Sequence, residues 1–391
     1  IRMTECIPRR KVTRLWRNIY KEYSKNFYNT HTENMKKTFI IASFAALSLT
    51  VAAQNPGNVK FVQVAQDYSQ LSTPTLLNSF IKKANSAEYT AENRVIMLRN
   101  AMDLAQTDKQ RKQILKEVAG TGAFQGLVFA AEWLDNAAVK VEAAKAVLKI
   151  ALANKDYAGT GTRQAITKAG LILGKSKQVN QYLNSVSGNG LVKVFNGKNL
   201  DGWKGLVENP IARAKMTPVE EAQKQIGADE IMRRDWNVID GQIVYVGHGF
   251  ENLCTVKKYG DFEMYVDWKL DPKGAEPDAG IYLRGTPQVQ IWDTARVNVG
   301  AQVGSGGLYN NQKNESKPSQ VADNKLGEWN SFHIIMRGEK VTVFLNGVKV
   351  VDNVTLENYW DRNRKIFPVE QIELQAHGSR TYFRDIYIKE L

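Results

Sequence analysis

WNSFHIIMRGEKVTVFLNGVKVVD, residues 329–352, alternates apolar and polar side chains with period two and is interrupted at Gly338-Glu339 and again at Asn346-Gly347. Asn-Gly is a strong two-residue hairpin signal, because both residues accept the positive φ of a tight turn. A three-strand antiparallel meander follows. Working outward, DFEMYVDWKL (261–270) puts Phe262, Met264, Val266, Trp268 and Leu270 on one face and Glu263, Tyr265, Asp267 and Lys269 on the other. GIYLRGTPQVQIWD (280–293) folds back around Gly285-Thr286-Pro287, matching Ile281 and Leu283 with Val289 and Ile291; its opposite face carries Tyr282, Arg284, Gln288, Gln290 and Trp292. In QIELQAHG (371–378), Ile372, Leu374 and Ala376 share one face, and Gln371, Glu373, Gln375 and His377 the other. Short strands with one apolar face each bury that face only if two sheets pack together. Residues 191–391 are therefore expected to form a β-sandwich of jelly-roll type. Within it, Thr217-Pro218-Val219-Glu220 reads as an N-cap, a first-turn proline and a capping Glu, predicting a helical insertion over about 208–235 that covers a site or forms a structural flap.

Residues 70–187 have another texture. AENRVIMLRNAMDLAQ and AVKVEAAKAVLKIALA space apolar residues by three and four, and Gly120-Thr121-Gly122, Asp135-Asn136 and Gly159-Thr160-Gly161 separate the helices. The run GLVFAAEWLDNAAVKVEAAKAVLKIA (126–151) resembles one unit of a HEAT-type repeat, which implies a HEAT-like helical domain that presents a protein-binding surface or buttresses a neighbour. The fold class is thus multidomain α and β.

From Met35 the chain reads MKKTFIIASFAALSLTVAAQ: two lysines, an apolar run, then small residues before Gln54. This is a secretory signal peptide over 35–53, too short for a membrane span, followed by a linker over 54–69. A signal peptide works from an N-terminus, so residues 1–34 are expected to be an upstream translation artefact. Residues 1–53 hold ten Lys or Arg and three Asp or Glu, so the remainder carries 43 basic against 37 acidic residues, +6 instead of +13. Such an excess, without a basic stripe, argues against nucleic acid as a partner. Cys254 is the single cysteine left, so an internal disulfide is excluded, and a periplasmic or secreted protein without a lipid anchor is expected.

In order along the chain come VFNGKNLDGW (194–203), WNVIDGQIV (236–244), LCTVKKYGDFEMYVDWKL (253–270), GIYLRG (280–285), QVQIWD (288–293), GLYNN (307–311), EWNSFHIIMRG (328–338), LNG (345–347) and LQAHGSRTYFRDIYI (374–388). This series resembles the 3-keto-disaccharide hydrolase family, on a concanavalin-like sandwich. Two departures stand out. Gln288-Val289 replaces the family's frequent Tyr-Glu, so no role of that Glu transfers, and Asp278-Ala279-Gly280 replaces the commoner Asn-Ser-Gly. The resemblance implies cleavage of 3-keto-glycosides or 3-keto-disaccharides, by elimination and hydration or by net hydrolysis, in periplasmic glycan breakdown. A ketone at carbon 3 acidifies the hydrogen on carbon 2; a base removes it, the enolate expels the group on carbon 1, and water adds to the enone. Such chemistry needs one base, donors at the enolate oxygen, and an acid or metal at the leaving oxygen. No metal-ligand motif is present, although sandwiches of this kind hold a structural divalent metal, calcium or similar, through scattered carboxylates and carbonyls.

Parity then nominates residues. Arg284 is the first choice for the keto or enolate oxygen, its charge being permanent and its fork rigid. His377 is a candidate base or acid, and Asp293, at a strand end, a candidate base or metal ligand. Tyr282, Gln290, Trp292, Gln375 and Glu263 are candidates for binding the oxidised glycoside or oligosaccharide through ring stacking and amide or carboxylate hydrogen bonds. His333, alternating with Ile335, reads as structural, and His248 lies in a loop. A noncatalytic carbohydrate-binding sandwich and a laminarinase-like glycosidase are the alternatives. The second lacks the Glu-x-Asp-x-x-Glu strand it requires, since Glu263-x-Tyr265-x-Asp267 offers two acids with a tyrosine between.

Overall fold

The apolar faces read from the sequence meet as expected in the structure, a computed structural model that describes residues 72–186, 188–247 and 249–391. The expected upstream extension (1–34), signal peptide (35–53) and linker (54–69) lie outside the described residues, as does His248. Residues 72–391 belong to one unit. Among the described residues no helix is long and apolar enough to cross a membrane.

Seven α-helices run from Thr73 to Ser185, each packed on the next along the chain. Their starts follow local chemistry. Thr107 and Gln110 form a reciprocal capping box at Asp108–Val118, and Gly159 precedes Thr160–Ile172. Gly159 is required for a second reason: a Cβ there would lie 2.3 Å from the Leu191 amide nitrogen, so the helix start meets the start of the sandwich backbone to backbone. The seven helices form the expected helical layer before the sandwich.

The sandwich has two antiparallel sheets. One runs in the order β11 (Val348–Thr355), β10 (Lys340–Leu345), β9 (Asn330–Arg337), β6 (Phe262–Leu270), β13 (Thr381–Glu390), β4 (Gln242–Tyr245) and β3 (Trp236–Ile239), with β1 (Val192–Lys193) pairing on β13. The other runs β2 (Trp203–Gly205), β5 (Leu253–Thr255), β12 (Glu373–Leu374), β7 (Asp278–Leu283) and β8 (Thr286–Trp292). The β9–β10–β11 meander turns where predicted, Asn346 and Gly347 taking φ of 52° and 79°. Between the sheets Met264, Val266, Trp268, Phe332 and Ile334 of the first pack with Ile281, Leu283, Val289, Ile291 and Leu374 of the second.

The outward faces of the two sheets meet different surroundings. The helical layer covers the eight-stranded sheet. Phe124 reaches Tyr265 and Tyr387 with ring centroids at 5.0 and 4.9 Å, and Gln125 Nε2 donates to Ser331 Oγ at 2.7 Å. The buried Arg99 bridges Glu132 (3.0 Å) in the helices and Asp385 (2.7 Å) on β13. The helices therefore buttress the sandwich. On the five-stranded sheet the insertion forms as Pro210–Arg213 and Pro218–Asp235, its Thr217–Glu220 capping box complete. The second helix packs on β2: Asp229 accepts from the Gly205 amide at 3.0 Å.

Candidate functional site

The register of the five-stranded sheet arranges its outward side chains in three rows. In the first, Glu373 on β12 stands between Cys254 on β5 and Tyr282 on β7. Two residues along, the Gln375 amide donates to Gly280 O at 2.9 Å, and Gly280 faces Gln290 on β8. In the third row Asp278 faces Trp292, and His377, beyond the paired residues of β12, bears on the Asp278 carboxyl. Gly280 has a clear purpose, since a Cβ there would lie 2.9 Å from both Gln288 Cδ and Gln375 Oε1. Its missing side chain lets the two glutamines close over the middle of the floor. Gly280→Ala is expected to fold and to lower kcat/KM by about 10²-fold, the cost of displacing positioning groups by about 1 Å; steady-state kinetics beside a circular dichroism spectrum checks this.

Glu373 is 2 % exposed. Burial pushes its carboxyl up to about 7, against the opposing influence of the Asn252 hydrogen bond and of the Arg213 charge. Asn252 is oriented unambiguously: its Oδ1 accepts from the Ala376 amide (3.1 Å), so its Nδ2 is the group that donates to Glu373 Oε2 at 2.9 Å. Burial, and then the neighbouring Glu373, raises the Tyr282 hydroxyl, which stays protonated and available as a donor. The Cys254 thiol is also pushed up by burial, so it is no nucleophile. At the other end, Asp278 accepts from Gln290 Nε2 (2.7 Å) and pairs with Arg296 (3.4 Å). Burial raises this carboxyl too, with His377, Gln290 and Arg296 opposing it. Gln375 Oε1, His377 Nδ1 and Trp292 Nε1 are, among the described residues, buried polar atoms without a hydrogen-bond partner, and ligand hydroxyls would satisfy them.

Of the residues nominated from sequence, the structure brings Tyr282, Gln290, Trp292, Gln375 and His377 together on this floor. Three others lie elsewhere. Arg284 is not on the strand face: the hairpin turns at Arg284-Gly285, one residue earlier than predicted, with φ of 51° and 66°. Its buried side chain donates to Pro368 O (2.9 Å) and pairs with Asp261 (3.7 Å). The cation that bears on Glu373 is Arg213 of the insertion, held by Val207 O and Glu370, each at 2.9 Å. Glu263 belongs to the other sheet, where it bonds His333 Nε2 at 2.8 Å while His333 stacks on Tyr265 at 4.2 Å. Asp293 accepts from the Ala295 amide (3.0 Å) in a turn beside a shallow cleft shared with Trp268 and Asn324. Among the described residues no three or more His, Cys, Asp or Glu side chains are grouped to hold a metal ion.

Sequence reasoning missed Asn252, Asp278 and the primacy of Glu373. Glu373 had a signal, its place on the polar face of QIELQAHG, but burial is what changes its acidity. Asn252 sits in a loop and had none.

A family model described as 3-keto-alpha-glucoside-1,2-lyase-like domain matches residues 190–389. The chain belongs to this family. Its C-terminal half is accordingly a carbohydrate-active sandwich domain. Among solved structures, a Parabacteroides distasonis protein provisionally described as a glycosyl hydrolase is 22 % identical, covering 51 % of this chain and 94 % of its own, with a TM-score of 0.36. A carbohydrate-binding module from Bacillus subtilis is 10 % identical over 49 % of this chain and 98 % of its own, with a TM-score of 0.29. At those scores neither adds to the argument about chemistry. No curated protein matches.

Proposed function

We propose that the five-stranded face cleaves 3-keto-glycosides by elimination and hydration and, from the signal peptide read at residues 35–53, that it does so in the periplasm or outside the cell. The observation that carries the reading is the lone carboxyl of the first row: Glu373, wholly buried, pushed up to about 7, oriented by Asn252 and set beside a protonated Tyr282. A base is most effective when its pKa lies near the working pH. The Glu373 carboxylate takes the proton from carbon 2, and that C–H electron pair forms the enolate with the carbon 3 ketone. The enolate collapses to a carbon 1–carbon 2 double bond, the carbon 1–oxygen bond breaks, and the departing oxygen takes the Tyr282 proton. Water then adds at carbon 1, its proton restoring Tyr282, while Glu373 returns a proton to carbon 2.

The geometry disfavours the ordinary glycosidase. Asp278 is four strand residues from Tyr282, the partner of Glu373, which separates the two acidic positions by roughly 13 Å at about 3.3 Å per residue. Retaining and inverting pairs stand about 5–5.5 and 6.5–9.5 Å apart. Incubation of the protein with a 3-keto-glucoside in D2O is expected to release the aglycone and to leave deuterium at carbon 2 faster than an enzyme-free control. Release from the unoxidised parent instead, or sugar affinity with no release from either, would sink the proposal.

A further inference from the structure

Next to the first row stands a pair of aromatic rings that neither the fold nor the proposed chemistry uses. Tyr359 and Trp360 are 43 % and 36 % exposed, in a surface loop, and meet edge to face with centroids 4.9 Å apart. This pair is nonetheless held in place. Trp360 Nε1 donates to Gly285 O at 2.7 Å, which ties it to the β7–β8 turn three residues beyond Tyr282. The buried Asn358 accepts from the Trp360 and Asp361 amides at 3.0 and 3.1 Å and donates to Lys365 O at 3.0 Å. Arg362 lies over the Tyr359 ring at 5.3 Å and is itself held by Glu357 at 3.2 Å. Glu357 in turn accepts from three successive amides, Gln312, Lys313 and Asn314, at 3.0, 2.7 and 2.7 Å.

Rigid aromatic faces bordering a polar floor serve to stack on flat ligand surfaces at low entropic cost. The unpartnered amide, imidazole and indole atoms lie on the other side of Glu373, towards His377, and suit the hydroxyls of the sugar being cleaved. We infer that Tyr359 and Trp360 form an aglycone subsite that selects leaving groups with a ring of apolar faces, an aromatic aglycone or the CH face of a second sugar. Resting on the elimination reading for the position of the scissile bond, the subsite sets specificity and takes no part in proton transfer.

The test compares wild-type protein with Tyr359→Ala on methyl, 4-nitrophenyl and glucosyl 3-keto-glucosides, reading KM and kcat separately. For the ring-bearing substrates KM should rise about fivefold, as expected for one lost stacking partner, and clearly less for the methyl glycoside, while Tyr359→Phe recovers the affinity. The aryl and glucosyl arms show which ring is preferred. An equal rise for all three substrates, or none for any, overturns the subsite. If no substrate turns over, the elimination reading fails, and calorimetric titration with unoxidised phenyl glucoside then decides the subsite by itself. Weaker binding by Tyr359→Ala than by wild type upholds it, and equal affinity overturns it.

Discussion

Glu373→Gln is expected to lower kcat/KM on a 3-keto-glucoside by about 10²–10⁴-fold, the usual worth of a positioned general base, without unfolding the sandwich. The substitution keeps the shape and the hydrogen bond with Asn252 (2.9 Å), and removes only the capacity to accept the carbon 2 proton. Two pH measurements separate this role from a structural one. Since the ionised form is the base, wild-type kcat/KM should rise with pH and level off above about 7, and that limb should vanish from the residual activity of the variant. Stability runs the other way. The folded-state pKa is raised above its unfolded value, so the stabilisation from Glu373 is complete below the ordinary glutamate range, near 4.5, and is lost as pH rises through about 7. The amide does not titrate; melting curves at pH 5 and pH 8 should therefore show the variant gaining on wild type at the higher pH. A full-rate variant, or an unchanged pH limb, would remove Glu373 from the chemistry.

Phe124→Ala should destabilise the protein by about 3–5 kcal/mol, the range for truncating a fully buried phenylalanine. Phe124 is 1 % exposed and meets Tyr157, Tyr265 and Tyr387 with centroids at 5.2, 5.0 and 4.9 Å, so its ring joins the helical layer to the outer face of the eight-stranded sheet. The loss should appear in the unfolding midpoint of the sandwich, followed by tryptophan fluorescence, although the substitution is in a helix. A midpoint equal to wild type would mean that the two layers are not coupled through this ring. The neighbouring charges explain why the contact is specific. Arg99 sits between Glu132 and Asp385, and a slipped interface would leave a buried charge unpaired.

The polar faces of β6 and β12 illustrate how far local pattern reaches. Glu263-x-Tyr265-x-Asp267 and Glu373-x-Gln375-x-His377 look alike as alternating strands, and both suggested a sugar-binding floor. One lies under helices, with Glu263 bonded to His333 at 2.8 Å, and the other forms the candidate site. The difference is not encoded within either strand, because alternation tells which residues share a face and not which sheet the strand joins. Arg284 shows the limit of parity in another way. Side chains repeat every two residues, so a turn at 284–285 in place of 285–287 was enough to carry the guanidinium from the strand face to Pro368 O.

From the sequence alone came the elements with strong local causes: the meander with its Asn346-Gly347 turn, the Thr217–Glu220 capping box, the helical texture before residue 187, and an inward apolar face on each strand. Those follow from periodicity and backbone preference, which act over a few residues. The tertiary structure alone decided that Asn252 meets Glu373 from 121 positions away, that Arg213 of the insertion bears on the same carboxyl, and that Glu373 is the acid taken out of water. An acidity is set by desolvation and by neighbouring charge. Both are properties of what the fold places around a residue, and no stretch of chain carries them by itself.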